Sequence, residues 1–150
     1  MGTWGAGVFQ SDEAHERVSD AAESSDPVGL LSERFNQFLA ATPAGYDSSE
    51  WATDPLRQAQ GILALCEVVR AGAIQKKDWP EPLPLNVRKW FESTKFRSSE
   101  GLLRLATACA QVLRSSERLR EEDEDFWTQA VEPTLNGLID VAKKAGQECP

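Results

Sequence analysis

Residues 54–71 read DPLRQAQGILALCEVVRA, and residues 100–114 read EGLLRLATACAQVLR. In the first stretch Leu56, Ala59, Ile62, Leu63, Leu65, Cys66, Val68 and Val69 leave only a narrow polar stripe of Arg57, Gln60, Glu67 and Arg70. A helix this apolar around its circumference belongs at the centre of a bundle. The second stretch has the same character, with Leu102, Leu103, Leu105, Ala106, Cys109, Ala110, Val112 and Leu113 around Arg104, Thr107, Gln111 and Arg114. These two helices are expected to pack on each other as the core pair of an all-α bundle.

The helix starts are marked by chemistry. Asp26-Pro27 and Asp54-Pro55 each place a capping carboxylate before a proline whose missing N–H costs nothing in a first turn. After Asp26, the residues Val28, Leu31, Phe35, Phe38 and Leu39 share one face, and Thr42-Pro43-Ala44-Gly45 ends that helix. Asp47 and Glu50 have capping-box spacing and are expected to open a short turn around Trp51.

An earlier helix starts near Ser11 or Asp12. Its thin apolar face of Ala14, Val18, Ala21 and Ala22 predicts a peripheral position. Residues 1–10, with glycine at 2, 5 and 7, predict an extended arm anchored by Trp4 and Phe9. The three prolines in Asp78-Trp79-Pro80-Glu81-Pro82-Leu83-Pro84 exclude a helix there. A short helix capped by Asn86 should follow, with Val87, Trp90 and Phe91 inward.

The last helix carries Trp127, Val131, Leu135, Leu138, Ile139 and Ala142 on one face. Pro133 should kink or interrupt it by crowding the carbonyl of Gln129. Lys143 and Lys144 suit its C-terminus, and Gly146 is expected to stop it. The sum is a single helical domain over 1–150, with about five or six helices around a central pair and an N-terminal arm on its surface.

Composition narrows the class of function. Apolar residues make up 41% and charged residues 27% of 150, which is ordinary for a globular domain. No apolar run could span a bilayer, and the N-terminus has neither a basic region nor an apolar core, so a cytoplasmic protein without a membrane association is expected. The start is Met-Gly, but Ala6 stands where a myristoylation signal needs Ser or Thr. Cys66, Cys109 and Cys149 are an odd set. The first two read as buried thiols of a reducing compartment, with a Cys66–Cys109 disulfide as the alternative.

The net charge of −8 is unevenly spread. Residues 1–60 hold ten acids and three bases, residues 61–114 five acids and nine bases, and residues 115–150 nine acids and four bases. This balance opposes nucleic acid as a partner and favours a basic protein.

The opening Met1-Gly2-x-Trp4-Gly5-x-Gly7-x-Phe9, with Asp12 and Ala14, resembles the start of an uncharacterised bacterial family, domain of unknown function family 4259. The likeness extends through LRQAQGILALCEVVRAGA, the proline-rich connection with LPLNVRKWF, and the helix at Phe126-Trp127. It implies a common fold and carries no activity. That family usually has another Asp in place of Glu16 and often Asn or Asp in place of Ser11, departures that weigh against an acidic site there.

Five constellations are candidates for chemistry. Asp12, Glu13, His15 and Glu16 put carboxylates one turn apart beside the single histidine. Two such acids fall short of the six or more oxygens a hard cation wants, and acids in a first turn are otherwise explained by the helix dipole. Cys66 or a serine paired with His15 lacks any nucleophile signature. Gly5-Ala6-Gly7 has neither the strand nor the lysine of a phosphate loop. The basic residues Arg70, Lys76, Lys77, Arg88, Lys89, Lys95 and Arg97 lie among aromatics, which suits stacking on bases. The flanking acidic segments instead suit pairing within the protein.

The fifth is Glu121, Glu122, Asp123, Glu124 and Asp125 beside Trp127. An acidic patch edged by an aromatic suits a basic protein partner, though acids also suit a helix start. No catalytic set, metal or cofactor is expected. The reading is an acidic protein-binding module, for example an immunity-type protein that neutralises a basic toxin. The alternatives are a small hydrolase or metal-assisted enzyme at Asp12, His15 and Glu16, and a structural subunit of a larger assembly. The oligomeric state is not legible.

Overall fold

The computed structural model describes the backbone of residues 12–50, 55–74 and 100–148, and the side chains of 16–50 apart from Ala22 and Pro27, of 56–70 and of 100–143. The arm at 1–10, Trp51, the proline-rich connection, the helix expected after Asn86 and Cys149 lie outside these residues. So do all the basic middle residues except Arg70.

The described chain is all-α. Helix α1 spans Asp12–Glu23, α2 Pro27–Ala41, α3 Pro55–Ile74, α4 Glu100–Arg114, α5 Glu117–Glu122 and α6 Glu124–Phe126. A π-helical turn at Trp127–Val131 joins α6 to α7, Glu132–Glu148. Helices α3 and α4 pack on each other; α1 covers α3, α2 lies chiefly on α4, and α7 touches both. The central pair is therefore the one expected. From Ala59 to Val69 every residue of α3 is buried, Gln60 and Glu67 included. At roughly 1.5–3 kcal/mol per buried aliphatic side chain, this helix is the largest apolar contributor among the described helices.

Helix α4 differs from α3. Leu102, Leu103, Ala106, Cys109, Ala110 and Leu113 are buried, but Leu105 and Val112 only flank the core, and Arg104, Gln111 and Arg114 are exposed. One face of α4 stays wet because α3, α2 and α7 together cover only the other. Helix α1 is more central than its thin face implied. Val18 and Ala21 are fully buried, and the backbone of α1 approaches α3 extensively, because small side chains let two helices come close.

Helix α2 starts as its sequence requires, with the Asp26 carboxylate accepting from the Gly29 N–H at 3.1 Å. Leu31, Phe35 and Phe38 are fully buried, whereas Val28, expected inward, is 41% exposed, since the first turn of α2 runs past the edge of the core. The helix ends at Thr42, whose hydroxyl donates to the Phe38 carbonyl at 2.9 Å. Gly45 then turns the chain at φ +98°, which an L side chain resists. That turn drives Tyr46 back into the core, where its ring lies 5.9 Å from that of Phe38.

Pro133 acts as expected, through a mechanism that the periodicity did not specify. A proline at 133 withdraws the N–H that the Gln129 carbonyl would use and crowds that oxygen. The chain answers one turn earlier by widening to π geometry, so that the Glu132 N–H donates to the Trp127 carbonyl five residues back. The helix resumes and runs past Gly146 to Glu148, so Gly146 does not stop it. Glycine permits a helix end but does not force one where the backbone ladder continues. On α7, Leu135 and Leu138 are buried, Ile139 is half-buried and Ala142 is exposed, because the inward stripe drifts off the core towards the C-terminal end.

Candidate functional site

The acidic run folds into two short helices separated by one residue. Ser116 caps α5 by accepting from the Leu119 N–H at 3.1 Å, and Leu119 is fully buried. Asp123 then closes α5 and opens α6. Its N–H donates to the Leu119 carbonyl at 3.1 Å, and its carboxylate accepts from the Phe126 N–H at 3.0 Å. Phe126 is buried in turn, so Leu119 and Phe126 pin both ends of the segment.

The five acids therefore separate into two kinds. Asp123 is half-buried and committed to the backbone, whereas Glu121, Glu122, Glu124 and Asp125 are exposed. Among the described residues none of these four makes an ion pair. Their carboxylates face solvent, with Arg118 and Arg120 the nearest bases along the chain.

Trp127 begins the π turn beside them. It is half-buried, its Nε1 is shielded from solvent, and among the described residues that nitrogen has no hydrogen-bond partner. The guanidinium of Arg120 lies 5.2 Å from the ring centroid, within cation–π range. Trp127 thus holds the Arg120 guanidinium against its ring, directly after the acidic run in the chain. Arg120 reads in the sequence only as a charge that offsets the run.

The N-terminal acidic cluster is not assembled within the described residues. Glu16 is exposed on α1, and the side chains of Asp12, Glu13 and His15 lie outside them. Among the described residues no group of three or more His, Cys, Asp or Glu side chains is placed to hold a metal ion.

Cys66 and Cys109 are free and buried, so the alternative of a disulfide between them is not realised. The thiol of Cys66 donates to the Ala106 carbonyl at 3.4 Å and that of Cys109 to the Phe35 carbonyl at 3.7 Å. Burial pushes the Cys109 thiol up to about 12, and burial with the nearby Cys109 and Glu67 raises Cys66 well above its ordinary value. Neither offers a thiolate nucleophile near neutrality.

Arg70, the one described member of the basic middle segment, serves the fold. Its Nε donates to Glu67 Oε1 at 2.9 Å, and its terminal nitrogen contacts the same oxygen. This hydrogen bond to Glu67 holds the Arg70 guanidinium above its ordinary range. The other Glu67 oxygen accepts from Thr134 on α7 at 3.4 Å. Gly137 gives the Arg70 stem room to cross α7, since a Cβ there would stand 2.7 Å from Arg70 Cδ.

No described helix is long and apolar enough to cross a membrane. No curated protein and no solved structure shows a significant match to the chain. A family model described as Domain of unknown function (DUF4259) matches residues 2–133, most of the chain and every helix up to the π turn. By that match, the chain belongs to the DUF4259 family.

Proposed function

We propose that this protein is an acidic protein-binding module of the bacterial cytoplasm whose partner is a basic protein. An immunity-type protein that neutralises a basic toxin is its concrete form. The observation that carries the reading is the group Glu121, Glu122, Glu124 and Asp125, four exposed carboxylates without an ion pair among the described residues, which run up to Trp127 in the chain. Such an edge attracts a basic surface over a Debye length, and a half-buried aromatic supplies the short-range contact once it arrives.

The test compares the full chain with its Glu121→Gln, Glu122→Gln, Glu124→Gln triple variant, each immobilised and exposed to host proteins at low and at high salt. Basic proteins captured by the parent at low salt, released by salt and absent from the variant support the reading. Equal capture by both at all salt concentrations overturns it. The bound protein then serves in a stopped-flow measurement, where the triple change should lower the association rate more than it raises the dissociation rate.

A further inference from the structure

We infer that the cleft where α1, α2 and α3 meet binds a small monocarboxylate with a short apolar chain. The cleft has a volume of about 320 Å³ and is lined by Arg17, Arg34, Gln37, Glu50, Gln58, Ile62 and Leu65. That is the lower end of the range for small-molecule sites.

Charge distribution marks the place. Residues 1–60 carry ten acids and only three bases, and two of those three bases, Arg17 and Arg34, line this one cleft. Arg34 is half-buried and makes no hydrogen bond or ion pair among the described residues. A guanidinium partly withdrawn from water without an acceptor is a standing demand for one, and its planar fork matches a carboxylate.

The remaining lining selects among anions. Gln37 follows Arg34 by one turn of α2, and its amide donates to Glu33 at 3.2 Å, which leaves its second N–H for a ligand. On α3, Gln58, Ile62 and Leu65 share one face, with Ile62 and Leu65 at 4% and 3% exposure. They offer hydrocarbon to the ligand's tail.

The exposed Glu50 carboxylate in the lining repels a second negative charge, which favours a monoanion on Arg34 over a dianion such as phosphate. The site lies on helices other than α5 and α6 and stands apart from the docking surface proposed above.

Isovalerate is the probe, with isovaleramide and inorganic phosphate as controls, titrated into the full chain and followed by ¹H–¹⁵N NMR. Isovalerate should shift the Arg34 Nε–H and the Gln37 and Gln58 side-chain amides saturably at millimolar concentration. The neutral amide and phosphate should do so at least about tenfold more weakly. Arg34→Gln should weaken isovalerate at least about tenfold and leave the melting temperature unchanged, while Arg104→Gln on the wet face of α4 should leave binding intact. The proposal is overturned by the absence of a saturable shift, by phosphate or the amide binding as well as isovalerate, or by undiminished binding in Arg34→Gln. Capture of a basic protein at the acidic edge is unaffected by any of these results.

Discussion

Asp47 precedes Ser116 by 69 positions, yet its Oδ1 accepts a hydrogen bond from the Ser116 hydroxyl at 2.5 Å, while Oδ2 accepts from the Arg118 N–H at 3.4 Å. The same Ser116 oxygen caps α5, so the loop after α2 braces the start of the helix that carries the acidic edge. The spacing of Asp47 and Glu50 points to a local cap. The structure instead sends this carboxylate to a distant helix terminus, because the turn at Gly45 delivers it there.

Ser116→Ala should destabilise the protein by about 1–2 kcal/mol and Asp47→Ala by about 1 kcal/mol in urea unfolding. The double variant should cost less than the sum of the two, since both act on one cap. Strict additivity would show that Asp47 does not brace Ser116.

Leu63 and Leu105 lie on the two central helices but differ in depth, Leu63 fully buried and Leu105 at the edge of the core. Leu63→Asp should abolish folding, because an unpaired charge there costs several kcal/mol, on the order of the whole stability. Leu105→Asp should give a folded protein of lowered melting temperature, the charge escaping to the wet face of α4. Calorimetry on both distinguishes this from a core that is equally deep at the two positions.

The acidic run should divide on mutation as it divides in structure. The triple change of Glu121, Glu122 and Glu124 to Gln should move the melting temperature by no more than about 2 °C. Asp123→Ala removes a cap and should cost about 1 kcal/mol. Equal thermal effects of the two would contradict the assignment of Asp123 to the backbone.

Cys66 and Cys109 should make stability fall in alkali. A thiol whose pKa is raised in the folded state stays protonated there while its unfolded counterpart ionises. Its contribution is complete below the ordinary value of 9.0 and is lost as pH rises towards the folded value, about 12 for Cys109. Each thiol should add about 1.4 kcal/mol per pH unit to the loss across that window. Urea unfolding from pH 8 to 11 measures the slope, and Cys109→Ala should reduce it. Neither thiol should react with a disulfide reagent at pH 8 until the chain unfolds.

The Glu67, Arg70 and Thr134 contact ties α3 to α7. Arg70→Met leaves a carboxylate of 7% exposure without its guanidinium and should cost on the order of 2 kcal/mol, less than for a fully enclosed pair because 22% of the Arg70 side chain stays exposed. Combining it with Glu67→Leu should recover part of the loss. If the double variant is less stable than Arg70→Met alone, the carboxylate contributes through contacts other than this pair.

The helical class, the central pairing of α3 with α4, the Asp26 cap and the disturbance before Pro133 are legible in the sequence, because each depends on residues within a turn or two of one another. Periodicity reports which face of a helix is apolar, and capping chemistry reports where it starts. Neither reports how far the core reaches, so by periodicity Val28, Leu105 and Ala142 are equivalent to their buried neighbours, and packing alone separates them. The acidic run is visible as composition, but only the fold separates Asp123 from the four exposed carboxylates and lays Arg120 on Trp127. Arg17 and Arg34 meet in a cleft, and Asp47 reaches Ser116, through contacts between segments far apart in the chain. Those contacts depend on helix crossing and turn geometry, which local spacing does not encode.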